Sequence, residues 1–479
     1  MKDLTEHALN VAQIGGARYA DIRILERREQ VVSVKNGNVD GIGDSDSQGF
    51  GVRVLVGNSW GFASSAYVNR TEIENVTALA VKIAKASALV PGEAVELGAP
   101  MTSIGKYTTP IAIDPFSISL EEKLDLLFRA DSIMRRNAGV KVVEGNVIAV
   151  RNNKFFSNTE GAFLEQIICE SGGAIAATAV NDTEVQVRSH PNSFRYQGTG
   201  GWEYVTAADF AGNAERVAEE AVKLIFADVC PSTETTLILG SSQLALQIHE
   251  SCGHPAELDR VYGTEAAFAG RSFLTTEKQN HFRYGSDIVN LTADSVRATG
   301  LGTFGWDDEG VPASSTPIVK NGRFVGYLMS RETASKLGLK SNGCMRADGW
   351  NRIPLIRMTN VSLEPGTWEL DDLIADTDDG ILMETNRSWS IDDMRLNFQF
   401  GTEVGYEIKK GKKGRLLKNC TYGGITPDFW NRCDAVTNAK HWILWGTPNC
   451  GKGEPMQTMG TGHGASPARF RNVKVGVFK

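Results

Sequence analysis

Apolar positions in the first 90 residues switch between two periods. Residues 4–14 place them on one helical face, and Gly15-Gly16 ends that run. Residues 19–25 alternate apolar and polar side chains, as a half-buried strand does. Asn36-Gly37, after residues 31–35, is the dipeptide of a two-residue hairpin. Gly57-Asn58 lies between residues 51–56 and 59–63 and fits a II′ turn. Gly49-Phe50-Gly51 lacks the third glycine of a phosphate loop and reads as strand backbone. Thr71-Glu72-Ile73-Glu74 reads as a capping box for a helix over residues 73–89. Residues 90–118, with Pro91, Pro100, Pro110 and Pro115, read as loop. Ser119 to Glu122 opens a capped helix to about residue 137. Strands are predicted over 140–151, 163–171 and 174–188. Thr206 to Asp209 caps a further helix to about residue 227.

A domain boundary is placed at Cys230-Pro231. Beyond it, residues 235–239 read as a strand, and Ser241 or Ser242 caps the next helix. Leu244, Ile248 and Cys252 form an i, i+4, i+8 stripe, so this helix packs into a core and Cys252 is a core thiol. The rest of the chain is largely β. Asn321-Gly322 joins residues 317–320 and 323–329 in an I′ hairpin, and strands are predicted over 357–363, 381–384, 395–402 and 416–421. The expected fold is α+β. Residues 1–230 form a mixed α/β N-terminal domain, and residues 231–479 form a β-rich C-terminal domain. A chain of 479 residues suits two domains of about 200 to 250 residues each.

Composition narrows the function classes. With 41% hydrophobic and 22% charged residues the chain is of soluble globular type, and its 50 glycines suit many turns. A net charge of −7 argues against nucleic acid or an anionic membrane as the main partner. No apolar run reaches the length of a membrane span, and residues 1–16 read as an amphipathic helix, not a secretory signal. Seven scattered cysteines without a C-x-x-C pair indicate buried thiols in a reducing, cytoplasmic setting.

Candidate chemistry concentrates at His249-Glu250-Ser251-Cys252-Gly253-His254. Neutral imidazole is a common ligand of catalytic metals, and a Glu directly after the first His occupies the general-base position of metal-dependent peptidases. The two His are at i and i+5, about 140° apart on an ideal helix. They converge only if the helix ends or distorts between them. Gly253 and Pro255 both favour an ending, which puts His249 in the helix and His254 just past it. On spacing alone, two ordinary histidines at a helix terminus are an equal reading. A third ligand could come from Cys450, His463, Glu257 or Asp259. Glu257 and Asp259 read as solvated acids after a helix. Cys450 lies among glycines and prolines in residues 447–455, an irregular exposed loop, where Lys452 or a metal would acidify the thiol. His463 is a reserve ligand that reads as a plain surface histidine. Asp307-Asp308-Glu309 reads as a solvated acidic turn before Gly310 in preference to a second metal site. Residues 357–360 either contact a peptide or form a structural strand.

Taken in order along the chain, several of these stretches resemble the TldD/PmbA (TldE) family of metallopeptidases. They are Gly49-Phe50-Gly51-Val52-Arg53 with Gly61-Phe62-Ala63, the His249-Glu250-x-x-x-His254 segment, Asp307-Asp308-Glu309-Gly310-Val311-Pro312, Arg357-Met358-Thr359-Asn360-Val361 and Cys450-Gly451-Lys452. The resemblance implies Zn2+ held by His249, His254 and Cys450, with Glu250 as general base. It implies a metal-bearing C-terminal domain and an enclosed site in a dimer, either a homodimer or a heterodimer with a PmbA-like subunit. The PmbA branch lacks the two His and the Glu, so the chain resembles the TldD branch. One departure is Pro255-Ala256-Glu257-Leu258-Asp259, where the family pattern runs Gly, then Leu-Glu-Gly-Asp. The expected activity is zinc-dependent cleavage of flexible or unfolded peptides. The alternatives are a non-catalytic partner subunit, or a thiol hydrolase with Cys450 as nucleophile and His463 or His249 as base. The thiol reading leaves Glu250 and one histidine without a role.

Overall fold

Asn36 and Gly37 both take positive φ, 48° and 79°, and close the predicted hairpin. The strands they join are longer than the pattern indicates. In this computed structural model, which describes residues 1–90, 92–193 and 196–476, β1 spans Tyr19–Lys35 and β2 spans Asn38–Val56. Residue Pro91 of the predicted loop lies outside the described residues. The charged run at residues 26–30 hides the continuity of β1. Those side chains are paired: Arg27 with Glu29 at 2.6 Å, and Arg28 and Gln30 both with Asp44 at 2.9 Å. Gly57, at φ 57°, turns the chain into β3, Ser59–Ser65.

The same sheet continues through β4 (Ile104–Thr108), β5 (Val140–Asn158), β6 (Phe163–Val180), β7 (Val185–His190) and β8 (Tyr196–Thr199). Its order is β3-β2-β1-β5-β6-β4, with β7 and β8 also on β6. The predicted break at Gly172-Gly173 is absent, and β6 runs straight through it. A Cβ there would lie 2.3 Å from the Tyr196 carbonyl oxygen and 2.5 Å from that of Asn146. These glycines admit neighbouring backbone.

Four long helices cover one face. Ala20, Ile22 and Ile24 of β1 pack with α1 (Lys2–Ile14) and α2 (Arg70–Ser87), while Val32 and Val34 pack with α3 (Leu120–Arg135) and α4 (Phe210–Phe226). The Ser119 capping box forms, and Asp209 caps α4 from the left-handed region. Helix α2 starts earlier than predicted, because Asn69 takes the cap by accepting the Glu72 N–H at 3.0 Å.

The other face of β1 and β2 meets the second half of the chain. There Asp307, Asp308 and Glu309 are buried at 2%, 1% and 2% exposure, not solvated. Lys154 and Arg23 reach Asp308 at 2.6 and 3.4 Å, and Arg53 reaches Glu309 at 3.3 Å. The acidic turn docks the two halves together.

The second half is β-rich, and the buried residues of its largest hydrophobic core all fall between Cys230 and Val475. Strand β9 (Thr233–Leu239) lies between β14 (Asp379–Ile391) and β20 (Ala468–Val475), and β15 (Asn397–Lys409), β16 (Lys412–Lys418) and β17 (Cys420–Ile425) extend the sheet. A smaller sheet holds β10 (Leu291–Asp294), β11 (Ser315–Lys320), β12 (Arg323–Phe324) and β13 (Val361–Leu363). Of the strand predicted over 357–363, only its end belongs to this sheet. The Arg357 and Asn360 side chains are buried against other backbone, Arg357 on the Gln457 and Cys450 carbonyls and Asn360 on that of Asp294. A hairpin of β18 (Ile443–Lys452) and β19 (Gln457–Ala465) stands apart from both sheets. Among the described residues, no helix is long and apolar enough to cross a membrane.

Candidate metal centre

Helix α5, Ser241–Ile248, leaves β9 and heads into the core with its Leu244 and Ile248 fully buried. Gly240 sits at its N-cap with no side-chain cap. Ser241 and Ser242 instead accept hydrogen bonds from Trp445 and Thr385. Gly253 and Pro255 indicate that the helix ends before His254, but it does not. It widens into a π turn over His249–Gly253, then tightens to a 3-10 turn over His254–Ala256. The His254 N–H donates to the His249 carbonyl, an i+5 to i bond that returns residue i+5 to the face of residue i.

Two residues explain the widening. A Cβ at Gly253 would lie 2.0 Å from Met358 Sδ, so glycine lets the turn pack against the Met358 side chain without displacing it. Pro255 has no N–H to give the Ser251 carbonyl, and the Tyr284 hydroxyl donates there at 2.7 Å instead. Tyr284 also touches Cys252 Sγ at 2.9 Å, and burial pushes that thiol up to about 12. Cys252 is a core thiol facing away from the histidines.

Cys450 is on strand β18, 4% exposed, and not in an exposed loop. The β18–β19 register slips between Thr447 and Cys450, and this irregularity accommodates Pro448 and Asn449 within a strand. Arg357 braces the strand by donating to the Cys450 carbonyl. The donor atoms of His249, His254 and Cys450 all lie within 4.8 Å of one another. The His254 Nε2 to Cys450 Sγ distance is 3.6 Å, and the two imidazoles stand at 85°.

Each ring is held by its other nitrogen. His254 Nδ1 donates to Glu257 Oε2 at 3.0 Å. Burial alone would raise the Glu257 carboxyl, but Lys452, His254 and Arg260 hold it well below the usual range. Lys452 in turn contacts Asp259 at 2.8 Å. Glu257 and Asp259 are therefore buried members of the centre's support, not solvated acids. His249 Nδ1 lies 2.7 Å from His463 Nε2, and His463 Nδ1 lies 3.0 Å from the Val361 carbonyl oxygen. A carbonyl only accepts, so the proton assignment runs in one direction. His463 donates through Nδ1 and accepts through Nε2, His249 donates through Nδ1, and His249 Nε2 keeps its lone pair. His463 is fully buried, and burial holds it well below the usual histidine range, so it stays neutral. The surface reading of His463 fails for that reason.

Burial likewise lowers His249 to about 4 and lowers His254, leaving both rings neutral near pH 7. Burial would raise the Cys450 thiol, but the Arg357 guanidinium nearby brings it down. Two neutral imidazoles and an acidified thiol around one point can hold a metal ion. Glu250 lies beside them, and its Oε2 accepts from Arg395 Nη1 at 2.7 Å. His249, Glu250, His254, Arg395 and Cys450 share a cavity of about 240 Å³. Sequence reasoning missed Arg395, the hydrogen bond of Arg357 to the Cys450 carbonyl and the support role of Lys452. Arg395 comes from the distant β14–β15 turn, and nothing in its neighbourhood signals the contact.

Comparison with known proteins gives the family. Residues 232–476 match the PmbA/TldA metallopeptidase C-terminal domain, residues 20–84 its domain 1 and residues 113–226 its central domain. The chain is 29% identical over 447 residues to metalloprotease MJ0996 of Methanocaldococcus jannaschii, covering 93% of this chain and 95% of that one. It is 24% identical over 211 residues to a Saccharolobus solfataricus protein named zinc metalloprotease TldD homolog, 43% of this chain and 44% of the relative. The fold is that of TldE from Thermococcus kodakarensis, with a TM-score of 0.76 at 16% identity over 98% of this chain and 99% of that one. With family domains matched along most of its length, the chain belongs to the PmbA/TldD metallopeptidase family.

Proposed function

We propose that the chain is a zinc-dependent peptidase of the TldD type, with His249, His254 and Cys450 as metal ligands and Glu250 as general base. The observation that carries this is the 3.6 Å separation of His254 Nε2 and Cys450 Sγ. Zn–N bonds of about 2.0–2.1 Å and a Zn–S bond of about 2.3 Å, at a tetrahedral angle, separate nitrogen from sulfur by about 3.5 Å. The donor set fits zinc in kind, and the name of the Saccharolobus relative points the same way. Three protein donors leave a fourth position for water, as catalytic zinc requires.

Bound zinc supplies Lewis acidity and lowers the pKa of water toward neutrality. The chain's own residues do the rest. Glu257 and His463 fix the two imidazole tautomers, so that Nε2 lone pairs face the cavity. Glu250 takes the proton from the attacking water and delivers it to the leaving nitrogen. This centre lies wholly within residues 231–479, the proposed catalytic domain, against which residues 1–230 dock.

Access defines the substrate. The cavity of about 240 Å³ is below the usual range for whole small-molecule ligands, so it admits one narrow segment. Strand β18 pairs only with β19 among the described residues, and its Asn449 and Gly451 line the cavity. An extended peptide can add to that edge through main-chain hydrogen bonds with little sequence preference. Flexible and unfolded peptides are the substrates that fit. Phe268 and Trp389, which line the cavity, leave 45% and 46% of their surface exposed, apolar area that a second subunit would cover. That partner is a second copy or a PmbA-like chain, in the cytoplasm.

The test is Glu250→Gln. Turnover of an unstructured peptide is expected to fall about 100-fold or more while the metal and fold remain. Near-normal turnover in a metal-replete variant overturns the mechanism. Retained turnover after complete chelation favours Cys450 as a nucleophile instead.

A further inference from the structure

The β14–β15 turn brings one cation into the metal cavity. Arg395 takes a positive φ of 60°, a turn position that disfavours side chains. Asp392 holds the turn by accepting the N–H groups of Leu396 and Asn397 at 2.8 and 3.1 Å. The segment at residues 270–273 clamps it from outside: Arg271 and Phe273 donate to the Asp393 and Met394 carbonyls at 2.9 and 3.0 Å. A Cβ at Gly270 would lie 2.2 Å from the Asp393 carbonyl oxygen, so the two segments pack backbone to backbone.

The guanidinium delivered this way is under-used. Nη1 donates to Glu250 at 2.7 Å, Nη2 has one long contact of 3.5 Å with the Ala269 carbonyl, and buried Nε has no partner. Arg331, which ties the two halves together, shows the saturated alternative. Its Nε, Nη1 and Nη2 all have partners, at 2.8 to 3.0 Å. An arginine with spare donors, in the cavity it shares with the proposed base and metal ligands, is poised to meet negative charge that the resting protein does not contain.

We infer that Arg395 donates to the carbonyl oxygen of the scissile peptide as that oxygen becomes an anion. The inference rests on the peptidase reading of the centre. In the step concerned, the water oxygen bonds to the carbonyl carbon and the C=O π pair moves onto the carbonyl oxygen. The water proton goes to Glu250. Negative charge therefore leaves Glu250, the present partner of Arg395, and arises on the oxygen next to it. The guanidinium follows the charge without leaving the cavity. When the C–N bond breaks, the oxygen pair returns to re-form the carbonyl and the Glu250 proton passes to the leaving nitrogen.

The experiment uses the metal-loaded full-length protein with an unstructured peptide, in wild type, Arg395→Gln and Arg395→Lys. Each is also titrated with a phosphinic peptide, whose tetrahedral anion imitates the transition state, and with an uncleaved ground-state analogue. Arg395→Gln is expected to lower kcat about 100- to 1,000-fold with KM changed by no more than about threefold. Its affinity for the phosphinic peptide is expected to fall by the same factor as kcat/KM, while the ground-state analogue binds as before and metal content is unchanged. Arg395→Lys, which keeps the charge, recovers part of both losses and stands in should the Gln variant fail to fold. Unchanged phosphinic affinity alongside a lower kcat would mean that Arg395 only orients Glu250, and overturns the inference. A raised KM at unchanged kcat would mean simple substrate anchoring, and overturns it too. Full activity in Glu250→Gln and His249→Ala would instead remove the peptidase reading beneath it.

Discussion

The Asp307-Asp308-Glu309 turn and the His249–Cys450 centre both bury ionisable side chains almost completely, yet they leave their atoms in opposite states. In the turn, Asp308 accepts from Lys154, Arg23 and the Ala347 N–H, and Glu309 accepts from Arg53 and the Arg331 N–H. Asp307 takes three backbone N–H groups, those of Glu309, Val311 and Met345. At the centre, each imidazole spends one nitrogen on a partner and turns the other toward Cys450 and the cavity. Burial and charge therefore mark a structural joint as readily as a reactive site. The turn also borders a cavity, of about 320 Å³, so room alone does not separate the two; a shortfall of partners around one point does.

Metal affinity gives a scale on which to break this distinction. The largest effect is expected for His249→Ala, which removes one of three proposed donors and should strip the metal on dialysis. Full metal content in that variant would remove His249 from the ligand set. Glu257→Gln comes next. It weakens the carboxylate behind His254 and should lower metal affinity about 10- to 100-fold in competition with a chelator. An unchanged affinity would show that the Lys452–Glu257 pair serves packing alone. Asp308→Ala should leave metal affinity untouched. It leaves Lys154 and Arg23 facing a gap and should cost about 3–5 kcal/mol of stability in urea unfolding. Metal loss at full stability in this variant would erase the difference between the two clusters.

Much of the fold was legible because the decisive signals are local. Asn36-Gly37 and Asn321-Gly322 carry the positive φ values their hairpins need, and Ser119 and Asp209 cap the helices after them. Strand lengths were not legible where pairing partners are distant. The charges within β1 find cross-strand counterions, and the glycines within β6 admit backbone that only the tertiary fold brings near. At the centre, the i, i+5 spacing already required a distorted or ended helix. Gly253 and Pro255 look locally like a stop, and they become a π turn because Met358 and Tyr284 pack against them. The burial of His463, the strand under Cys450 and the approach of Arg395 all depend on chain more than 100 residues from α5. No pattern within the His249 stretch could announce them.

If His249, His254 and Cys450 together hold one catalytic zinc, metal content and turnover must stand or fall with all three. Elemental analysis of full-length protein purified without chelators decides this, run alongside Cys450→Ala and Cys252→Ala and paired with peptide turnover on the same samples. About one zinc per chain is expected in wild type and in Cys252→Ala, whose thiol faces Tyr284 in the core, with loss of both zinc and turnover in Cys450→Ala. A metal-free wild-type protein that still cleaves peptides, or a Cys450→Ala variant that keeps its full zinc, would refute the shared zinc site.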